Sequence, residues 1–154
     1  MQYWLMKSEP SEYSIEDLER EGRTMWDGVR NYQARNFMRD SMHEGDTVFF
    51  YHSNVPEPGI VGEGRVCSKP YPDPTAFDQH DTHYDPKSDK AAPTWYLIDV
   101  CYADTYKHPV ALDSIKDDPV LKTMFVARRG NRLSITPVRA CEAARIRALT
   151  HTDG

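Results

Sequence analysis

The apolar residues of this chain arrive in short runs closed off by glycine or proline, and that punctuation decides most of what it can fold into. "TVFFYHS" follows a Gly45-Asp46 turn, "NVPEPG" separates it from "GIVGEGRVCS", and "TWYLIDVCYADTY" opens directly after Pro93. Runs like these, rich in aromatic and β-branched residues and bounded by turn formers, are strands rather than long helices. The aromatic load agrees, with nine Tyr, five Phe and three Trp in 154 residues. No apolar run approaches the ~18 residues needed to cross a membrane. The first residues lack a basic leader followed by an apolar stretch, which predicts no secretory signal.

Tyr3 to Lys7 is expected to be a first strand, apolar on both sides and so interior to a sheet. Ser14 should cap a helix, with Asp17 completing a loose capping box, Ile15 and Leu18 inward and a stop near Gly22. A second helix is expected from Tyr32 to Met42. Ala34, Phe37, Met38 and Met42 would share its buried face, with Arg35 and Arg39 on the flank. Strands should follow from Thr47 to Ser53 and again through Gly59. Gly62 and Gly64 point to the same side and predict a bend or the close approach of another backbone.

Residues 69 to 93, rich in Pro, Asp and His, have no periodicity, and loops of that length are usually lids or mobile insertions. A long strand is expected from Thr94 to about Tyr106, then one or two short helices between Leu112 and Met124, broken at Pro119. "RLSITPV" should be the last strand, and Arg139 to Leu149 a closing helix with Cys141, Ala144 and Leu149 inward. This order predicts an α+β fold of one domain over residues 1–154, a small mixed barrel or curled sheet with helices around it. Closure would protect the edges of so many aromatic strands.

Cys67, Cys101 and Cys141, without a C-x-x-C pair, are expected to be small buried core residues, a usage that fits a reducing cytoplasm. The net charge of −5 argues against a general polyanion binder. A local basic site stays open, because screening confines exposed charges to about 8 Å at physiological salt. Residues 73–118 hold ten aspartates, whereas residues 128–147 hold six arginines and one glutamate. That polarity either aims an anionic ligand at one side or is ordinary surface scatter.

Chemistry is sparse. "HDTHYDP" brings His80, Asp81, His83 and Asp85 together as conceivable metal ligands, but a polar loop offers no rigid face for them. No glycine-rich phosphate cradle or nucleophile elbow is present. Nothing points to catalysis. A site for a planar ligand is better supported: it needs flat walls, edge-reading polar groups and cations for attached phosphate. Trp26, Tyr32, Tyr51 and Trp95 can be walls, Asn31, Ser53 and Asn54 can read an edge, and Lys7, Arg30, Arg35 and Arg132 can meet phosphate. Burial in the core competes with each aromatic assignment, least for Trp26 in its Asp27-Gly28 turn.

"YWLMKSEP", "WDGVRNYQARNFMR", "GDTVFFYHSN", "PGIVGEGRV", "YPDPTAFD", "YDPKS" and "RLSITPV" occur in order over nearly the whole chain. As a set they resemble the EVE domain family, which includes the thymocyte nuclear protein group. That resemblance implies a PUA-like mixed β-barrel of about five to six strands with peripheral helices. EVE domains are similar to YTH domains, which hold a methylated adenine of RNA in an aromatic cage. The resemblance therefore implies a base pocket made by Lys7, Ser8, Glu9, Trp26, Asn31, Tyr32, Tyr51, His52, Ser53 and Asn54. Arg30, Arg35, Arg39 and Arg132 would face phosphates.

The sequence departs from the YTH pattern at Glu9-Pro10, where YTH domains carry asparagines that read adenine. A carboxylate there can accept from an exocyclic amine, so a modified cytosine or adenine, in DNA or RNA, is the expected guest. No catalytic residue, metal or cofactor is implied, and any effector role would fall to a separate protein. Two alternatives stand beside this reading. One is an enzyme using His52, Glu9 or Asp27 as acid or base. The other is an interaction module with a vestigial pocket that docks a protein partner on its basic C-terminal side.

Overall fold

The computed structural model describes residues 1–150. Its strands are β1 (Tyr3–Ser8), β2 (Arg23–Met25), β3 (Thr47–His52), β4 (Gly59–Val66), β5 (Tyr71–Pro72), β6 (Tyr96–Leu97), β7 (Asp99–Ala111) and β8 (Ile135–Val138). Four α-helices accompany them: α1 (Ile15–Glu21), α2 (Tyr32–Asn36), α3 (Leu112–Asp117) and α4 (Ala140–Thr150). Six strands form one mixed sheet in the order β2-β7-β4-β3-β1-β8, curled into a half-barrel of the PUA-like kind. β1 runs parallel to β3, and the remaining pairings are antiparallel. No helix among the described residues is long and apolar enough to cross a membrane.

The period of two along the central strands splits the interior into two cores. Trp4 and Met6 of β1 and Val48 and Phe50 of β3 pack on one face with Ile15, Leu18, Ala34 and Met38 from the first two helices. Leu5, Phe49 and Tyr51 pack on the opposite face with Ile115, Leu121, Ala143 and Ile146. Helices therefore cover both sides of the sheet, and any residue of β1 or β3 is assigned to a core by its parity.

α1 has the cap that its sequence announces. Ser14 Oγ accepts from the Asp17 amide at 3.1 Å, and the Asp17 carboxylate accepts from the Ser14 amide at 2.9 Å. Gly22 closes the helix at φ 79°. Ser14→Ala should lower the unfolding free energy by about 1 kcal/mol in a urea titration, the usual worth of an N-cap side chain. Gly62 and Gly64 also behave as expected. A Cβ at Gly62 would stand 2.9 Å from Ile15 and against the Asp104 carbonyl, and one at Gly64 would stand 2.8 Å from the Cys101 carbonyl.

Other expectations are corrected. The second helix widens after Asn36 into a π turn over Phe37–Ser41, closed by the Met42 amide on the Phe37 carbonyl at 2.8 Å. The long strand expected from Thr94 is two elements. β6 pairs with β5 in a separate two-stranded sheet, and β7 runs on to Ala111.

In α4 the inward residues are Glu142, Ala143, Ile146 and Thr150, whereas Cys141 and Ala144 are exposed. Glu142 turns inward because its carboxylate accepts from the Arg139 amide at 2.8 Å. The cysteines are not three separate core thiols. Cys67 and Cys101 form a disulfide with Cα atoms 5.9 Å apart, because the β4–β7 register places Arg65 opposite Cys101 and brings the residue two further on alongside.

Candidate nucleic-acid interface

A cavity of about 880 Å³ opens where the end of β1 meets the loop between β2 and α2. Lys7 and Ser8 line it from β1 and Glu9 from just beyond, Trp26 through Asn31 from the loop, Thr82 and His83 from the acidic segment, and Ser134 from the approach to β8. Of the residues expected in a base pocket, Lys7, Ser8, Glu9, Trp26 and Asn31 come together here.

Local bonding fixes most of these groups. The Trp26 amide donates to the Ile98 carbonyl at 2.9 Å, which ends β2. Its indole packs edge-on against Phe50, centroids 5.6 Å apart at 81°, and remains partly exposed to the cavity. Asn31 caps α2, its side-chain oxygen accepting from the Ala34 amide at 3.0 Å, so its NH2 group is the part left for a guest. Ser8 Oγ donates to the Tyr13 carbonyl at 2.5 Å. The Lys7 ammonium makes no ion pair among the described residues, and burial lowers its pKa.

Gly28 sits at φ 77°, a left-handed conformation that favours glycine. There its amide reaches Asp73 Oδ2 at 2.8 Å, and the His83 imidazole lies where a Cβ would be, 2.6–2.9 Å from it. Arg30 beside it is fully occupied. Nε and Nη2 donate to the His83 carbonyl, Nη1 to Asp73 and the Val29 carbonyl, and Nη2 also to Thr75 Oγ1. That uses all five N–H groups of a guanidinium. Arg30 lines the cavity, but it clasps residues 73–83 onto the Trp26 loop and has no donor left for a phosphate.

The structure separates the other candidates from this cavity. Tyr51 is buried in the core on the far face of the sheet, because it is one residue out of phase with Phe50. Tyr32 is exposed and stacks on Trp95 at 5.0 Å, with Arg35 over Tyr32 at 5.0 Å and Arg30 over Trp95 at 5.3 Å. Trp95 itself is buried and donates to Asp85 at 2.7 Å. Arg35 also donates to the Thr94 carbonyl at 2.8 Å, and Arg39 pairs with Asp40 at 2.8 Å. The Ser53 amide ties β3 to the Ser8 carbonyl at 3.0 Å, and Asn54 turns the chain at φ 57°.

His52 is also outside the cavity. Its Nε2 accepts from the Ile15 amide at 3.1 Å, so it serves the start of α1 and is not a free base. Burial lowers its pKa from the ordinary 6.5, against a smaller opposing effect of Glu16. A depressed histidine contributes stability above its unfolded pKa and loses it as pH falls through the folded value. Wild type should therefore lose more stability than His52→Gln between pH 7 and pH 5, measured by thermal unfolding.

The acidic segment is built rather than loose. Asp73, Asp78, Asp81, Asp85 and Asp89 each accept from the backbone amide two residues on, at 2.8–3.0 Å. Such Asx turns explain the recurrence of aspartate. No group of three or more His, Cys, Asp or Glu is placed to hold a metal among the described residues. The basic C-terminal stretch is largely neutralised at home, Arg139 by Glu142, Arg145 by Asp118 and Arg147 by Glu63. Arg129 and Arg132 stay exposed without an ion pair among the described residues.

Thr24, Met25, Asp27, Gly28, Thr82, His83 and Ser134 also line the cavity and had not been expected in a base pocket. Asp27 had a sequence cue, its place between the tryptophan and the glycine turn. Thr82, His83 and Ser134 had none, because they arrive from distant parts of the chain.

Comparison with known proteins agrees with this fold. The EVE domain family model matches residues 2–149. Thymocyte nuclear protein 1 of Gallus gallus is 44% identical over 155 aligned residues, which cover 88% of this chain and 63% of the relative. The chain thus spans less than two thirds of that relative's length. A crystal structure of human THYN1 protein in complex with 5-methylcytosine containing DNA superimposes with a TM-score of 0.92 at 39% identity, over 100% of each chain. The YTH domain of a Zygosaccharomyces rouxii protein, in complex with N6-methyladenosine RNA, shares the fold at a TM-score of 0.55 and 12% identity, over 99% of this chain and 88% of that one. With a family model matched almost end to end, the chain belongs to the EVE domain family.

Proposed function

We propose that this protein is a non-catalytic reader that holds a modified nucleobase of DNA or RNA in the cavity beside Trp26. The observation that carries the proposal is the indole itself. It is braced by Phe50 yet partly exposed along a cavity large enough for a base. The human relative crystallised with 5-methylcytosine containing DNA supports a modified cytosine as the guest. A base would leave its stack, at a cost of a few kcal/mol when paired and less when single-stranded, and lie against the ring.

Base–aromatic stacking contributes roughly 1–3 kcal/mol, whereas one buried methyl adds only about 0.8 kcal/mol. Affinity therefore comes mainly from the ring and backbone, and discrimination against the unmodified base is modest, on the order of tenfold or less. Arg129 and Arg132, near Ser134 in sequence and free of ion pairs among the described residues, are suited to the flanking phosphates. Any downstream effect would be carried by a separate effector protein.

The test is a fluorescence titration with short oligonucleotides carrying 5-methylcytosine, N6-methyladenine or unmodified bases. Trp26→Ala should weaken binding of the preferred oligonucleotide by about 1–3 kcal/mol, roughly 5- to 150-fold. Equal affinity of the variant and wild type would reject the assignment. A mass spectrum of the incubated oligonucleotides should show no product, and a turnover product would instead favour an enzyme using Glu9 or Asp27.

A further inference from the structure

We infer that Asp27 reads the edge of the inserted base by accepting a hydrogen bond from an exocyclic amine, so that the cavity takes an amino-bearing base in preference to its keto counterpart. The inference rests on the reader function proposed above and adds the residue that would select the guest.

Asp27 directly follows Trp26 and lines the same cavity. Its neighbours Asp73 and Asp81 are already satisfied. Asp73 accepts from the Gly28 amide, Arg30, and both the amide and hydroxyl of Thr75. Asp81 accepts from the His83 amide at 2.8 Å and lies 3.1 Å from its imidazole Nδ1. Asp27 accepts no side-chain hydrogen bond from another residue among the described residues, and Arg30 has spent every N–H elsewhere. Asp27 is exposed along the cavity, and its carboxylate accepts only from its own backbone amide among the described residues, so it keeps acceptor capacity beside the stacking wall for a guest bearing N–H.

The surroundings of Asp27 disfavour its charge, and an N–H donated by a guest would offset that. Burial, Asp73 and Asp81 all oppose its ionised form, and His83 favours it. Glu9 and Glu12 add further acceptors to the cavity wall, which Lys7 also lines. A keto oxygen brought to Asp27 would meet a carboxylate and be repelled. An amine at the same position would supply a donor that no other described residue provides.

Thymine and 5-methylcytosine make a clean probe pair, because both carry the 5-methyl group and they differ at C4 in carbonyl against amine. Single-stranded DNA oligonucleotides identical but for that base would be titrated against wild type, Asp27→Asn and Asp27→Ala, with thermal melting to confirm that each variant is folded. Wild type should favour 5-methylcytosine by about tenfold, as expected for one charge-assisted hydrogen bond. Asp27→Ala should bring the ratio close to one, and Asp27→Asn should reduce it. Both variants should still quench tryptophan fluorescence, because the stacking wall is intact. A ratio unchanged in Asp27→Ala, or a wild type indifferent to the two bases, overturns the role of Asp27 while leaving the reader function standing. Failure of wild type to bind either oligonucleotide, or any modified one, overturns both.

Discussion

Asp73→Ala should lower the unfolding free energy by about 3–5 kcal/mol, the usual result of removing one partner of a buried ion pair. Asp73 is fully buried, and its two oxygens receive four donors: the Gly28 amide at 2.8 Å, Arg30 at 3.1 Å, and the Thr75 amide and hydroxyl at 2.8 and 2.6 Å. Truncation leaves the Arg30 guanidinium without its counter-charge and the Gly28 amide without an acceptor. Both belong to the clasp that holds residues 82–83 as a cavity wall. The loss should therefore appear twice, as a lower urea midpoint and as weaker oligonucleotide binding in buffer where the variant is still folded. A change below about 1 kcal/mol would mean that the acidic segment is held by something other than this carboxylate.

The same residue gives stability an acid limit. Burial alone would raise the Asp73 pKa, but the Thr75 hydroxyl, the Gly28 amide and Arg30 outweigh it and hold the carboxyl below its ordinary value. A depressed carboxyl contributes stability above its unfolded pKa of about 3.9 and loses that contribution as pH falls through the folded value. Wild type should weaken steeply below about pH 4, while Asp73→Asn, already less stable at pH 7, should show a shallower dependence.

Much of this architecture was legible in the sequence because it is local. Ser14-x-x-Asp17 with Gly22 specifies a helix and both its ends within nine residues. The Gly62/Gly64 spacing predicted a bend or a close backbone, and β7 supplies the close backbone. What stayed hidden is non-local or depends on parity. β2 is only three residues long, too short for an alternation pattern. The disulfide depends on the β4–β7 register, which no cysteine spacing reveals.

Of the expected pocket residues, Lys7, Ser8, Glu9, Trp26 and Asn31 line one cavity because they lie on two short stretches that border it. Tyr51 and Arg30 were misassigned for different reasons. Tyr51 lies next to a residue on the correct face, and strand neighbours point in opposite directions. Arg30 is on the correct loop, but the carboxylate and carbonyl that occupy it come from residues 73–83, whose path could not be read from composition.

The parity of β3 provides a test that separates stability from function. Phe49 and Phe50 are adjacent, identical in type and both fully buried, so alanine at either position should cost about 3–5 kcal/mol. Their neighbours differ. Phe49 packs in the core shared with α3 and α4, beside Tyr3 and under Arg147. Phe50 packs in the other core and carries the edge of Trp26. Removing Phe50 takes away the brace that holds the indole in its stacking position, and a small misplacement of a recognition group is costly to binding. Phe50→Ala should therefore weaken the preferred oligonucleotide by about tenfold or more beyond any effect of the unfolded fraction, whereas Phe49→Ala should stay within about threefold of wild type. Leucine at each position, expected to cost less stability, allows the same comparison if either alanine variant is too little folded to titrate. Equal binding losses at positions 49 and 50 would show that the cavity responds to general loosening of the sheet, and the assignment of Trp26 as a braced stacking wall would fail with that result.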